Sequence, residues 1–545
     1  MTDLIAQAKA WLEQDPDQET RLELQSIIDE VDLQELSSRF ETRISFGTAG
    51  LRGELGAGPA RMNRVVVCQT ASGLAEFLIS NREIYCDEAG ELSAVVGFDG
   101  RTNSDVFAKD SAEIFAAAGI KTHLFSESVP TPVAAFTGKQ IGASATVVVT
   151  ASHNPPRDNG YKVYLGGPTG GSQLVPPQDA EIAAQIDKIA ETKSISDIPR
   201  SSSYSMLGAK EFRQYIERAK TLLDNSDQAV RDRSKIRITH TALHGVGWKV
   251  VQPLMSELGF QVSPVELQSE PDGAFPTVAF PNPEEKGAMD LAYETAAKFD
   301  SALIIANDPD ADRLAVAVKV PEGYQMLTGD EVGLLLANEL APKSKAIANS
   351  IVSADLSALA KHHNVSYTQT LTGFKWISKV PDLGYGYEEA LGYCVDPEYT
   401  PDKDGISAAL VISEMAVKLA LENKNLLDKL ADLAGQLGHF ATGQVSIRVT
   451  DLTTISKIMK ALREDTPAEI SGLRVDSEDY SNRSDMMKTD ALIFSNESIK
   501  VIIRPSGTEP KLKCYLQATS DSKTGANQLL GELEAWASAT LNALQ

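Results

Sequence analysis

The sequence predicts an α/β fold built from several modules. Apolar, strand-like runs alternate with helix-patterned segments along the chain: VVVCQTASGLAEFLI, SAVVGFDG, AEIFAAAGI, ATVVVT, SALIIAN, LAVAVKV and GLLLANEL. That alternation points to α/β layers with mixed or parallel sheets, whose ligand sites tend to lie at the carboxyl ends of strands. The length of 545 residues is the second observation, since domains of ~150 residues would number three or four. The third is a set of breaks in the pattern: the Ser-rich ETKSISDIPRSSSYS at 191–205, VPEGYQ at 320–325, and GQLGHFATGQ at 435–444. They divide the chain into units 1–205, 206–322, 323–438 and 439–545.

Taken in order, the first residues form an acidic helix with Leu4, Ile5, Ala8 and Leu12 on one face, unlike a signal or transit peptide. The last unit ends in an amphipathic helix with Leu529, Leu530, Leu533 and Trp536 at helical spacing. No apolar run approaches the ~18 residues of a membrane span. With 51 basic and 75 acidic residues the net charge is −24, which argues against nucleic acid and anionic membrane surfaces as partners. Cys68, Cys86, Cys394 and Cys514 are scattered, with no CxxC pair. Neither a disulfide framework nor a zinc site is expected, and a cytoplasmic location fits.

Six stretches carry chemistry. In TASHNPPRDNGYKVY, 150–164, Ser152 and His153 follow a strand, Pro155 and Pro156 stiffen the loop, and Lys162 can fold back after a DNG turn. The loop is either a rigid turn or a support for a serine used in chemistry. In SALIIANDPDADRLAVAVKV, 301–320, Asp308, Asp310 and Asp312 alternate on a loop between two strands, with Arg313 beside them. Such a set suits a hard cation, and the spacing excludes an EF-hand. In VIIRPSGTEPKLKCY, 501–515, Arg504, Ser506, Gly507 and Thr508 offer what phosphate oxygens need, although a turn between strands would read the same. In LGYGYEEALGY, 383–393, Glu388 and Glu389 sit in a Gly- and Tyr-rich loop, and taken alone they read best as acids in the first turn of a helix. ISFGTAGLRGELGAGPARMN, 44–63, is a Gly-rich loop, flexible or built for close approach, carrying Arg52, and TLTGFKWI, 370–377, places Thr372, Gly373 and Lys375 in another loop.

Together, and in this order, the stretches resemble the α-D-phosphohexomutase superfamily of phosphoglucomutases and phosphomannomutases. The resemblance is closest to the branch with FGTAGLRG near the start and GYEEA later, which includes phosphopentomutases. It implies four domains around a central cleft, three of them mixed α/β and a smaller C-terminal α+β domain. It implies that Ser152 is the phosphorylated serine, and that Asp308, Asp310, Asp312 and the Ser152 phosphate bind Mg²⁺. Lys162 would handle a proton, Arg52 and His153 would support the transferring phosphoryl group, and Arg313 and Lys375 would line the cleft. Arg504, Ser506, Gly507 and Thr508 would grip the other phosphate, while Thr372, Gly373 and Glu388 complete the substrate set. A base role for Lys162 requires a lowered pKa, which clustered cations can supply.

The expected reaction interconverts glucose 1-phosphate and glucose 6-phosphate through a sugar bisphosphate, with glucose 1,6-bisphosphate as activator. Mannose or pentose phosphates are the alternatives, because Ala390 stands where the glucose and mannose enzymes carry serine. A serine-dependent phosphatase and a non-catalytic sugar-phosphate sensor are the more distant readings. The partner is a small sugar phosphate, and the chain would be a monomer or homodimer.

Overall fold

The structure is a computed structural model, and it describes residues 2–449, 452–505 and 511–544. The chain divides into two compact units. The first comprises Met1–Thr328, Leu383–Gly386 and Leu391–Asn423, and the second Gly329–Asp382, Tyr387–Ala390 and Lys424–Gln545.

The first unit opens with helices Thr2–Gln14, Gln18–Asp29 and Leu33–Phe40. Asp17 and Asp32 start the second and third by accepting from Glu19 N and Glu35 N, each satisfying an amide that has no partner within the helix. Ala8 is fully buried, and Leu4, Ile5 and Leu12 pack beside it, as the amphipathic pattern predicts.

Seven strands form the first sheet: β1 (Leu51–Glu54), β2 (Ser93–Phe98), β3 (Lys121–Phe125), β4 (Ala145–Val149), β5 (Asp158–Leu165), β6 (Ser172–Gln173) and β7 (Ser205–Leu207). The order is β1-β5-β4-β2-β3-β7, with β6 on β5. β4, β2, β3 and β7 run parallel, while β1 and β4 each pair antiparallel with β5. β4 reads Ala-Thr-Val-Val-Val and is buried throughout, as a strand covered on both faces must be. VVVCQTASGLAEFLI becomes the helix Arg64–Ser80, enclosed on nearly all sides.

The second sheet contains β8 (Arg237–Thr241), β9 (Gln261–Pro264), β10 (Leu303–Ala306), β11 (Ala315–Val320) and β12 (Gly323–Met326) in the order β12-β11-β10-β8-β9. β9, β8 and β10 are parallel, and β11 returns antiparallel to β10. The carboxyl end of β10 therefore meets the start of β11 through the loop that carries the three aspartates.

The second unit pairs β13 (Ala346–Ser350) with β14 (Ser366–Thr370) in parallel. β15 (Leu383–Glu388) and β16 (Gly392–Cys394) follow along the chain. Its C-terminal part is an antiparallel sheet of β17 (His439–Arg448), β20 (Asp476–Asp479), β21 (Leu492–Ser495), β22 (Ile499–Pro505) and β23 (Lys511–Ser520), ordered β17-β23-β22-β21-β20. A short hairpin of β18 (Glu469–Ile470) and β19 (Leu473–Arg474) accompanies it. Helix Lys523–Ala543 packs on this sheet with Leu533 fully buried and Leu529, Leu530 and Trp536 beside it. Three mixed α/β segments thus precede a smaller α+β segment. Among the described residues, no helix is long and apolar enough to cross a membrane.

Candidate active site

Ser152 lies just past the end of β4 in a left-handed conformation, φ 51°. Its amide donates to Thr150 Oγ1 at 2.8 Å. Its hydroxyl is not presented to solvent: the residue is 1% exposed, and Oγ donates to Asp308 Oδ2 at 2.5 Å. His153 Nδ1 lies 3.1 Å from the same Oγ. Burial, then Arg313 and Arg52, push the His153 imidazole well below its ordinary pKa, so the ring is neutral.

Asp308, Asp310 and Asp312 are buried, and each contributes a ligand atom within 4.8 Å of the others. Asp308 Oδ1 accepts from Arg313 N at 3.0 Å. Thr131 fastens Asp310 twice, Oγ1 to the carboxylate at 2.7 Å and N to the carbonyl at 2.9 Å. Burial and the other two carboxylates push Asp308 well above the usual carboxylate range. Burial works the same way on Asp312, but Lys162, Lys403 and Arg313 outweigh it and hold that carboxyl far below. Oδ1 of Asp310 and Oδ1 of Asp312 are buried without a hydrogen-bond partner. Two orphaned anionic oxygens beside a third carboxylate, all hard donors, fit a divalent cation.

Lys162 lies on β5 opposite Val148 of β4, and β5 begins at Asp158, so the predicted DNG turn is strand instead. Its Nζ donates to Asp310 Oδ2 and Asp312 Oδ2, both at 2.6 Å. Burial disfavours the charge, but these two carboxylates outweigh it and raise the pKa. The expectation that neighbouring cations lower it is not met, because Lys403 and Arg52 weigh less than the two anions.

Arg52 also leaves its predicted loop. It sits on β1, paired with Gly160 of β5, and donates to Asn154 Oδ1 at 3.3 Å. Glycine in FGTAGLRG serves strand approach rather than flexibility: a Cβ on Gly50, φ +76°, would lie 1.8 Å from Tyr161 O.

Two further residues of this site escape the sequence reading. Lys403 Nζ is 3.3 Å from Asp312 Oδ2. It precedes Asp404, which caps helix Gly405–Leu421 by accepting from Ile406 N and Ser407 N. Gly405 must be glycine, since a Cβ there would lie 2.1 Å from Arg313 O. The pattern TPDKDG before an apolar run is a helix-start signal that could have drawn attention to Lys403. The other is Arg101, treated below.

The remaining predicted residues fall in the second unit. Glu388 ends β15, and Glu389 follows it, so the helical-turn reading of these acids is wrong. Glu388 Oε1 accepts from Gly373 N at 2.6 Å, and the Arg504 guanidinium donates to Thr372 Oγ1. Thr372, Gly373, Glu388 and Arg504 therefore come together. Lys375 lies in the short helix Phe374–Ile377 with Nζ 5.8 Å from the Trp376 ring centre. Ser506, Gly507 and Thr508 lie outside the described residues.

Glu389 turns inward and shares two hydrogen bonds with Ser353, accepting from Oγ at 3.0 Å and donating from N at 3.1 Å. Burial, Glu388 and Asp330 push its carboxyl up from 4.5 to about 8. Between those two values the folded state keeps a proton that the unfolded state has lost, so stability falls as pH rises through that window. Glu389→Gln removes the titration. Denaturant unfolding at pH 5, 7 and 9 is expected to show E389Q gaining steadily on the wild type as pH rises. A difference independent of pH would sink the assignment.

In the first unit the Ser152 hydroxyl thus meets a buried carboxylate cluster with Lys162, Lys403 and Arg313 beside it. Comparison with known proteins gives the family. Phosphoglucomutase/phosphomannomutase alpha/beta/alpha domains I, II and III match residues 43–193, 213–323 and 328–435, and the C-terminal domain of the same family matches 445–528. A Haemophilus influenzae protein named "Probable phosphomannomutase" is 46% identical over 481 residues, covering 87% of this chain and 96% of its own. A Schizosaccharomyces pombe "Probable phosphoribomutase" is 34% identical, covering 94% and 93%. A Staphylococcus epidermidis "Phosphoglucomutase" is 32% identical, covering 90% and 93%. The chain belongs to the phosphoglucomutase/phosphomannomutase family, within the α-D-phosphohexomutase superfamily. It is an isomerase that works by phosphotransfer.

Proposed function

We propose that the protein interconverts glucose 1-phosphate and glucose 6-phosphate through a phosphoserine at Ser152. The observation that carries this reading is the Ser152 hydroxyl 2.5 Å from a carboxylate of the Asp308–Asp310–Asp312 cluster.

In the first half-reaction the bond between phosphorus and Ser152 Oγ breaks and a bond to a free sugar hydroxyl forms. The hydroxyl proton leaves to a side chain of the site, and a sugar bisphosphate results. After the bisphosphate reorients, the bond between its other phosphorus and the sugar oxygen breaks, that phosphoryl group moves to Ser152 Oγ, the sugar oxygen takes back the proton, and the isomeric monophosphate departs. Such transfers depend chiefly on alignment and charge neutralisation. A divalent cation, assigned as Mg²⁺, would be held by Asp308, Asp310, Asp312 and the Ser152 phosphate, and would neutralise charge on the phosphate oxygens. Arg52, neutral His153 and Arg313 position the phosphoryl group. Lys162 is assigned to the sugar hydroxyl. Arg504 with Ser506, Gly507 and Thr508 grips the phosphate that is not transferred, and Thr372, Gly373, Lys375 and Glu388 complete the substrate contacts. Glucose 1,6-bisphosphate is the expected activator, because an escaped intermediate leaves Ser152 without phosphate.

Relatives named for mannose and ribose, together with Ala390 in the sugar loop, support mannose or pentose phosphates as the second reading. ³¹P NMR of glucose 1-phosphate with enzyme, Mg²⁺ and a trace of glucose 1,6-bisphosphate tests the choice. Conversion to the 6-phosphate without free phosphate supports the proposal. Silence on glucose with turnover of ribose 1-phosphate or mannose 1-phosphate moves the substrate, and accumulating inorganic phosphate overturns the mutase.

A further inference from the structure

Arg101 follows β2 in FDGRTNSD, and its side chain is 1% exposed. Its guanidinium donates to four backbone carbonyls of the serine loop. Nη2 reaches Ser152 O and Asn154 O, both at 2.6 Å, and Nη1 reaches Pro155 O at 2.8 Å and Asp158 O at 3.0 Å. The fork is itself fixed on the other side. Arg101 N donates to Asp99 Oδ1 at 2.9 Å, the Asp99 carboxylate lies 3.5 Å from Nε, and the Phe275 ring centre is 4.9 Å away. Phe275 belongs to the loop between β9 and β10, so the second sheet's connections brace the first sheet's loop within one unit.

We propose that Arg101 is the positioning residue that sets the direction of the Ser152 hydroxyl. The physical reason is the shortness of serine. Oγ is one torsion from the backbone, so its place follows from the Cα–Cβ direction, which the backbone dictates. Both backbone groups of Ser152 are held, N by Thr150 and C=O by Arg101, and the residue sits at a strained positive φ. The loop carries Pro155 and Pro156, which donate nothing to the carbonyls around them. Pro155 O also accepts from Asp158 N, but one side chain reaches all four carbonyls. Only a planar fork serves four acceptors lying to one side of it, and lysine has three donors on a single point. The demand is greater than for an ordinary nucleophile if Ser152 is used twice in each turnover, once bare and once carrying a dianionic phosphate. The loop must then hold one geometry in both charge states. This inference rests on the proposed phosphoserine reading for its kinetic consequence, but not for the clamp itself.

Arg101→Met and Arg101→Lys, made in the full chain, test it with two readouts. Amide hydrogen exchange needs no substrate. In R101M the segment 151–159 is expected to exchange at least about tenfold faster, while β4 and helix Ser104–Ala117 keep their wild-type protection. In the glucose 1-phosphate assay, kcat is expected to fall about 100-fold with KM within about threefold, because misplacing a reacting atom by ~1 Å costs that much. R101K is expected to lie between R101M and the wild type in both, and it carries the test if R101M does not fold. Unchanged exchange at 151–159, or faster exchange spread equally over β2, β4 and that helix, overturns the clamp. A fall in KM affinity without a fall in kcat overturns the positioning role. If the wild type neither gains phosphate on Ser152 nor interconverts a sugar phosphate, the functional reading fails, and the exchange result still judges the clamp.

Discussion

Ser152→Ala is expected to lower mutase turnover by about 10⁵-fold while leaving the fold almost untouched, since removing a nucleophile abolishes the covalent route and leaves only binding and electrostatics. The substitution is unusually clean. The two bonds that hold the residue, from its amide to Thr150 Oγ1 and from Arg101 to its carbonyl, belong to the backbone and survive. Alanine meets the same backbone strain as serine at φ 51°. The loss is the hydroxyl bond to Asp308 and the contact with His153 Nδ1, about 1–3 kcal/mol for a buried acceptor deprived of its donor. Turnover by ³¹P NMR and protein phosphate by intact mass, before and after exposure to glucose 1,6-bisphosphate, give the two readings required. The wild type should gain one phosphoryl group and S152A none. If S152A turned over within about tenfold of wild type, the phosphoserine route would be wrong, because no activated serine is dispensable to that degree.

The parts of the site that the sequence makes legible are those whose chemistry lies within a few residues. Asp308, Asp310 and Asp312 alternate on one loop between two strands. They prove to be buried and clustered, on the loop between the end of β10 and the start of β11. Ser152 and Lys162 are likewise brought together by a hairpin-like turn from β4 to β5. What fails is anything set by a remote partner. Lys162 reads as a base in need of neighbouring cations, and only the fold shows Asp310 and Asp312 against it, 148 and 150 residues away. The glycines before Arg52 read as a flexible or close-approach loop, and only the fold shows that they let β1 approach β5, a pairing between segments more than 100 residues apart. Glu388 and Glu389 read as helix-start acids, because a strand ending in two acids has no local signature. Arg101 is silent in the sequence for the same reason: its four acceptors are carbonyls, and carbonyls carry no residue identity. The fold class itself was legible because alternating apolar runs are a local property repeated along the chain.

Lys162→Met is expected to separate charge balance from chemistry at this centre. Nζ lies between Asp310 and Asp312, both buried, at 2.6 Å from each. Taking away one partner of a buried ion pair strands the other charge, which costs about 3–5 kcal/mol, and here two carboxylates are left to repel each other. Lys403, 3.3 Å from Asp312, compensates only one of them. K162M should therefore unfold at a lower denaturant concentration than wild type in the absence of divalent cations. If the carboxylates are a cation site, added Mg²⁺ binds the variant's folded state and not its unfolded state. The stability deficit then shrinks as Mg²⁺ rises through the dissociation constant, by the logarithmic law for a ligand of the native state. Turnover should behave differently. A side chain that moves the hydroxyl proton contributes about 10²–10⁴-fold, and a divalent cation on the carboxylates does not replace it. Stability restored by Mg²⁺ with turnover still about 10³-fold down would assign Lys162 both roles. Turnover restored together with stability would reduce Lys162 to a counterion for Asp310 and Asp312. A deficit indifferent to Mg²⁺ would mean that the three aspartates hold no such ion.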